Sequence, residues 1–133
     1  MPELWNRRYR GGLILGEEKN FENKIKTFLK NEGCWYVKFF ANAYTLRGVP
    51  DLLCCINGNF VAIEVKAKNG KLSDLQKLTI DRIRRSNGIA ICLYPENFEL
   101  FKKMVVQLKS EENTNKIFNL SVSDVRKLYN LAD

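Results

Sequence analysis

The pair Asn57-Gly58, which separates two apolar runs, constrains the fold of this chain more than any other feature. A two-residue type I′ turn needs positive φ at both central positions, and Asn-Gly is the pair that meets this need most readily. The pair therefore predicts a β-hairpin in which Ile56 faces Asn59.

The same register gathers three charges at the open end of the hairpin. Asp51 lies opposite Glu64, and Lys66 follows two residues later on the same face of its strand. Facing carboxylates repel each other, and a divalent cation such as Mg²⁺ resolves the conflict because it prefers carboxylate oxygens. A nearby ammonium can orient a water or stabilise developing negative charge. This is the arrangement of a metal-dependent phosphodiesterase site.

Each charge also has a simpler explanation. Aspartate is common beside turns, so Asp51 can be a cap at the start of its strand. Glu64 and Lys66 can lie on a solvated strand face. This second explanation fits poorly, because Phe60 and Ala62 share that face and the opposite face is apolar as well.

Composition limits the chemistry further. With 133 residues, 45% of them hydrophobic, the chain suits one domain with its own core. An excess of 22 Lys and Arg over 15 Asp and Glu gives a net charge of +7, which favours a nucleic-acid partner over ordinary solubility charge. The chain has no histidine, so Ser-His, Cys-His and His-metal chemistry are excluded. Catalysis must come from carboxylates, lysine and a metal.

Compartment is indicated by two features. No apolar run approaches the ~18 residues of a membrane span, and Met1–Arg10 does not resemble a signal peptide. The four cysteines form no CxxC pair, and Cys54, Cys55 and Cys92 fall in predicted core strands. We therefore expect a reduced, cytoplasmic protein with no membrane contact.

The N-terminal part is expected to contain one helix and one strand. Residues 1–16 are predicted to be an arm or a frayed terminus. A helix over 17–32 ends at Gly33 and buries a stripe made of Phe21, Ile25, Phe28 and Leu29. Glu18 and Glu22 have similar helical phase at the edge of this stripe, and position alone does not choose between them. A strand over 35–40 follows.

A second helix is predicted after the hairpin. Ser73 and Gln76 match a capping box, which gives Gln76 a structural role. Gln76 also shares a face with Ile80 and Ile83, which points its amide toward the sheet and the carboxylates. The helix should end near Gly88.

The remaining elements follow in order. A right-handed crossover makes the apolar strand 89–94 parallel to the Glu64 strand. Pro95 opens a helix over about 96–109, and Ser123 caps a last short helix that ends at Leu131.

Four motifs in this order carry a family resemblance: Lys38-Phe39, the segment RGVPD over 47–51, EVK over 64–66, and GKLS over 70–73 followed by Leu75-Gln76. The chain resembles the PD-(D/E)XK nuclease superfamily and, within it, the VRR-NUC (virus-type replication–repair nuclease) family. The resemblance covers about residues 18–94. It implies an α/β, restriction-endonuclease-like core (αβββαβ) with a mixed four-stranded sheet flanked by helices.

The chain as a whole is expected to form a single domain with three parts, of which the resemblance covers only the middle one. Residues 1–16 form the N-terminal arm, 17–94 the nuclease core, and 95–133 a C-terminal helical extension packed on the core.

By the same resemblance, Asp51 and Glu64 bind Mg²⁺ or Mn²⁺ together with the Val65 carbonyl. Alignment on Gly33 and Lys38-Phe39 places the family's helix glutamate on Glu22, which completes the site directly or through water. The implied catalytic residues are Glu22, Asp51, Glu64, Lys66, which positions the attacking water, and Gln76, which supports it. The residues expected to contact DNA are Lys38, Tyr44, Arg47, Lys68, Lys71 and Lys77.

The expected function is hydrolysis of DNA phosphodiester bonds by an endonuclease selective for branched DNA. Stand-alone members of the family occur in phages and bacteria, and the resemblance implies a homodimer acting on structures such as Holliday junctions. Two alternatives stay open: a non-cleaving DNA-binding module with the same fold, and a sequence-specific restriction-type enzyme.

Overall fold

The computed structural model describes the backbone of residues 3–111 and the side chains of residues 16–111. The elements are α1 (Glu3–Asn31), β1 (Trp35–Lys38), β2 (Leu52–Ile56), β3 (Asn59–Val65), α2 (Asp74–Arg85), β4 (Ile89–Leu93), a 3₁₀ turn (Pro95–Asn97) and α3 (Phe98–Ser110). One four-stranded sheet has the order β1-β2-β3-β4. The first three strands are antiparallel and β4 is parallel to β3, so the α/β architecture with a mixed sheet is confirmed.

The hairpin has the predicted register. Asn57 and Gly58 have φ values of 49° and 78°, as a type I′ turn requires. Ile56 pairs with Asn59 and Leu53 with Ala62. Because register fixes which residues meet, the turn brings the ends of β2 and β3 together at Asp51.

Two apolar layers cover the two faces of the sheet. On one face, α1 and α3 contribute Ile25, Leu29 and Val105, all fully buried, to the main core. On the other face, Ile80 of α2 packs against Ala62 and a small cluster around it. α3 therefore packs on the same face of the sheet as α1.

Helix α1 ends as the sequence predicts but begins earlier. Gly33, at φ 72°, closes α1 in a Schellman motif, because the Cys34 amide donates to the Leu29 carbonyl and the Gly33 amide to the Lys30 carbonyl. The helix begins at Glu3 rather than at Glu17, so most of the segment predicted to be an arm or a frayed terminus is helical.

The structure also bears on the predicted end of α2 and on the predicted core cysteines. The left-handed residue that ends α2 is Asn87, at φ 65°, and not Gly88. Cys54 is buried, but Cys55 is exposed because it lies on the hairpin face opposite Cys54, toward the uncovered tip of the sheet. The predicted helix after Ser123 lies outside the described residues. None of the described helices is long and apolar enough to cross a bilayer.

Candidate active site

Asp51 and Glu64 meet at the open end of the hairpin, as the register predicts. The Asp51 backbone is fixed by a hydrogen bond from the Phe39 amide to its carbonyl, at 2.8 Å. Its Oδ2 accepts from the Val65 amide, also at 2.8 Å, which turns the carboxyl toward β3. The Asp51 carboxyl lies close enough to Glu64 for its charge to act on the Glu64 carboxyl.

The environment of Glu64 favours its neutral form. The residue is only 3% exposed and lies on a strand that is otherwise apolar. Burial, followed by the charge of Asp51, raises the pKa of Glu64 to about 8, although Lys66 acts in the opposite direction. Burial and the neighbouring charge therefore favour the protonated form of Glu64 at neutral pH.

Gln76 combines the two roles that the sequence left open. Its Oε1 accepts from the Ser73 amide at 2.9 Å, which completes the capping box of α2. Its Nε2 donates to Glu64 Oε1 at 2.9 Å. Because both ends of the amide are engaged, the start of α2 holds Glu64 in a fixed orientation.

Lys66 reaches the same carboxylate. Its Nζ lies 3.6 Å from Glu64 Oε1, and its side chain is largely buried. The stem packs against Gly70, where an added Cβ would lie 3.2 Å from Lys66 Cδ. The loop that carries Gly70 is itself anchored, since the Tyr94 hydroxyl donates to the Gly70 carbonyl at 2.8 Å.

Glu22 reaches the site from α1, and its two carboxylate oxygens contact lysines. Lys38 Nζ lies 2.5 Å from Glu22 Oε1 and 3.2 Å from Asp51 Oδ1, while Lys26 Nζ lies 3.0 Å from Glu22 Oε2. Among the described residues, no three acidic, histidine or cysteine side chains are placed to hold a metal ion. Lys38 is therefore a member of the site, and sequence reasoning, which assigned it to DNA, missed these contacts.

Glu18, one turn before Glu22, belongs to the same electrostatic cluster. Burial raises the pKa of Glu18, Lys66 opposes the shift, and Asp51 and Glu22 add to it. A cleft of about 460 Å³ runs beside the site and is lined in part by Glu18, Glu22 and Lys38. The i, i+4 spacing of the two glutamates, noted from the sequence, is the signal that both reach one cleft.

The other residues predicted to contact DNA are solvent-exposed. They are Tyr44, Arg47, Lys68, Lys71 and Lys77. Tyr44 is 99% exposed and stands on a turn in which the Tyr44 amide donates to Asn42 Oδ1. Lys38 differs from all five, because only 23% of its side chain is exposed and its ammonium contacts carboxylates.

A second cavity, of about 550 Å³, lies between α2 and the hairpin turn. Arg47, Phe60 and Ile83 are among its lining residues, but neither Asp51 nor Glu64 is. The paired carboxyl groups therefore face a different part of the surface.

The donor set at Asp51 and Glu64 suits a hard divalent cation. Glu64 is nearly inaccessible to water and lies beside a second carboxyl group, and a bound cation would remove the repulsion between the two charges. The Val65 carbonyl adds an oxygen at the same strand end. These residues fit Mg²⁺ or Mn²⁺ by ligand chemistry.

The chain has the element order αβββαβ, and its mixed sheet brings an aspartate, a glutamate and a lysine together at the end of the hairpin. This is the arrangement of the nuclease class that the motifs predict. The family model of the VRR-NUC domain matches residues 39–96. This match agrees with the family resemblance that the four motifs indicate, and residues 39–96 are therefore similar to the VRR-NUC nuclease domain. Glu22 and Lys38 precede the matched residues. No curated protein and no solved structure shows significant similarity to the chain.

Proposed function

We propose that this protein is a Mg²⁺- or Mn²⁺-dependent endonuclease that hydrolyses phosphodiester bonds in DNA. The observation that carries the proposal is the buried Glu64 carboxyl beside Asp51, with Gln76 and Lys66 both directed at Glu64. A buried glutamate beside a second carboxyl group is costly for folding alone. Its presence in a nuclease-family domain supports a catalytic role.

Each residue has a distinct task in the proposed reaction. Asp51, Glu64 and the Val65 carbonyl would hold the cation, which supplies Lewis-acid stabilisation of the charge that develops on the phosphate. Lys66 orients the attacking water from its position beside Glu64 Oε1. Gln76 prevents rotation of the Glu64 carboxyl, and Glu22 supports the site from α1, directly or through water.

The proposed substrate is branched DNA, such as a Holliday junction or a flap, bound by a homodimer. The family resemblance supports both parts of this proposal. The net charge of +7 and the exposed cations around the site fit any DNA backbone. The form of the DNA must therefore be measured directly.

The first experiment incubates the protein with linear, flap and four-way DNA, with Mg²⁺, with Mn²⁺ or with excess chelator. We expect cleavage of the branched substrates only when a divalent cation is present. Asp51→Asn should abolish cleavage, because it removes a cation ligand while preserving side-chain shape.

The matched control is Asp81→Asn, which changes an exposed aspartate on α2 that pairs with Arg85. It should cleave like the wild type. Full activity in chelator, or in Asp51→Asn, would refute the proposed mechanism. Tight binding of branched DNA without cleavage under every condition would instead show a non-cleaving module.

A further inference from the structure

The ammonium of Lys38 lies between the carboxylates of Glu22 and Asp51, and the proposed function assigns Asp51 to the cation directly and Glu22 directly or through water. Its Nζ lies 2.5 Å from Glu22 Oε1 and 3.2 Å from Asp51 Oδ1. Glu22 belongs to α1, and Asp51 stands at the start of β2. Lys38 therefore cross-links the helix to the sheet at the site itself.

Lys38 contacts Oδ1 of Asp51, the carboxylate oxygen that does not accept from the Val65 amide. Asp51 Oδ2 accepts from the Val65 amide, so Oδ1 is the atom directed toward the cleft and Lys38. On the other partner, Glu22 Oε1 faces Lys38 and Oε2 faces Lys26. A divalent cation bound by Asp51 and Glu22 would have to take oxygens that now contact an ammonium.

Electrostatics makes simultaneous occupancy unfavourable. An ammonium at 3.2 Å from Asp51 Oδ1 would lie close to any cation on the same oxygen, and like charges at that separation repel strongly in a half-buried site. Without the ammonium, Glu22 and Asp51 would repel each other. The lysine thus stabilises the same arrangement that a metal ion would stabilise.

We propose that Lys38 is an internal competitor of the divalent cation: it holds Asp51 and Glu22 together in the metal-free protein and leaves Asp51 when the ion binds. The proposal rests on the proposed function, because it presupposes a cation at Asp51. It gives Lys38 a positioning role in regulating metal occupancy. The released ammonium keeps Glu22 as its partner and becomes available to a phosphate.

The chain offers a matched control for this proposal. Lys26 contacts the same Glu22 carboxylate through its other oxygen, and no contact joins it to Asp51 among the described ion pairs. Lys38→Met and Lys26→Met each remove one positive charge near the site. Only the first frees the Asp51 oxygen.

The test measures Mn²⁺ binding by calorimetry, and thermal unfolding in chelator, for the wild type and both variants. Lys38→Met should bind Mn²⁺ about tenfold more tightly than the wild type, whereas Lys26→Met should change affinity by at most about threefold, as general loss of a nearby charge would. In chelator, Lys38→Met should unfold at a lower temperature. Lys38→Arg, which keeps the charge, should bind Mn²⁺ like the wild type.

Several results would overturn the proposal. Equal gains in affinity for the two methionine variants would show that Lys38 acts only through its general positive charge. Weaker Mn²⁺ binding by Lys38→Met would show that Lys38 supports the metal site instead of competing with the ion. If Lys38→Met does not fold, the wild type decides: Mg²⁺ must shift the side-chain NMR signals of Lys38 more than those of Lys26, or the proposal is wrong. Absence of any Asp51-dependent Mn²⁺ binding would instead refute the proposed function.

Discussion

Glu64 carries the largest chemical perturbation in the site, because its carboxyl is buried between a neighbouring carboxyl and an amide. Asp51 raises its proton affinity, while Gln76 donates to the oxygen that Lys66 also approaches. The same residue is therefore a weak acid in the metal-free protein and a good ligand once a cation replaces the proton. Proton and metal ion compete for one position.

The stability of the metal-free protein should depend on pH through Glu64. Its pKa rises from the usual value near 4.5 to about 8 in the folded protein, so the folded state binds the proton more tightly than the unfolded chain. This contribution is complete below pH 4.5 and is lost as pH rises toward 8. We expect the free energy of unfolding in chelator to fall by on the order of 2–4 kcal/mol across this range.

Urea denaturation at a series of pH values, in the wild type and in Glu64→Gln, measures this dependence. The amide keeps the shape of the neutral acid, so the variant should lose most of the slope between pH 5 and 8. Glu99→Gln, on an exposed glutamate that pairs with Lys102, serves as the control and should keep it. A slope in Glu64→Gln equal to that of the wild type would assign the effect to other groups.

At the residue scale, sequence reasoning found the contacts that strand register determines. Asp51 and Glu64 meet because paired positions on a hairpin follow from the turn. The contact of Lys38 with Glu22 was not predictable in this way, since it depends on how α1 docks against β1, which neighbours in sequence do not specify. The assignment of Lys38 to DNA stays a prediction beside these contacts.

At the scale of the element, the ends of helices and strands were predictable where a turn or capping motif in the sequence fixes them. The Asn57-Gly58 turn, the Ser73–Gln76 capping box and the Gly33 Schellman motif all have the expected geometry. The start of α1 was not predictable, because Gly11-Gly12 lowers the helix propensity of the segment before Glu17. The difference between Asn87 and Gly88 at the end of α2 concerns one residue, and both can occupy turn positions.

Gly48 links the loop before Asp51 to α2 by a close approach of the backbone. Its φ is +79°, and an added Cβ would lie 2.9 Å from both Leu75 Cγ and the Leu75 carbonyl oxygen. The carbonyl belongs to the first turn of α2 and cannot rotate away. The glycine is therefore required both for its backbone conformation and for the space it leaves.

Gly48→Ala should destabilise the protein more than Gly33→Ala. Gly33 has a similar φ of +72° but nothing within 4 Å of an added Cβ, so its substitution costs only the left-handed strain, about 1–2 kcal/mol. The added clash at position 48 should increase the loss to about 2–4 kcal/mol. Urea unfolding of both variants measures the difference, and equal losses would show that the loop moves away from α2 without cost.

At the scale of the whole molecule, the approach of Gly48 to α2 places the Arg47 loop beside the helix that orients Gln76. The exposed cations Lys68 and Lys71 lie on the loop that leads into the same helix, and Lys77 is one of its residues. These side chains border the strand end that holds the paired carboxyl groups. Part of the net charge of +7 is thus arranged around the proposed reaction site.

If this basic border contacts the DNA backbone, binding should weaken steeply with salt. In chelator, which prevents cleavage, the affinity for four-way DNA should fall linearly on logarithmic axes as salt rises, because each phosphate contact releases a counterion. Lys71→Ala should reduce the slope by about one and weaken binding to linear and branched DNA alike.

Lys103→Ala, which removes an exposed lysine from α3 on the opposite face of the sheet, should change neither quantity. Fluorescence anisotropy over a salt series measures both slopes. An unchanged slope in Lys71→Ala, or a reduced slope in Lys103→Ala, would place the DNA on a different surface, and the carboxyl pair would then lie away from the phosphates it is proposed to cleave.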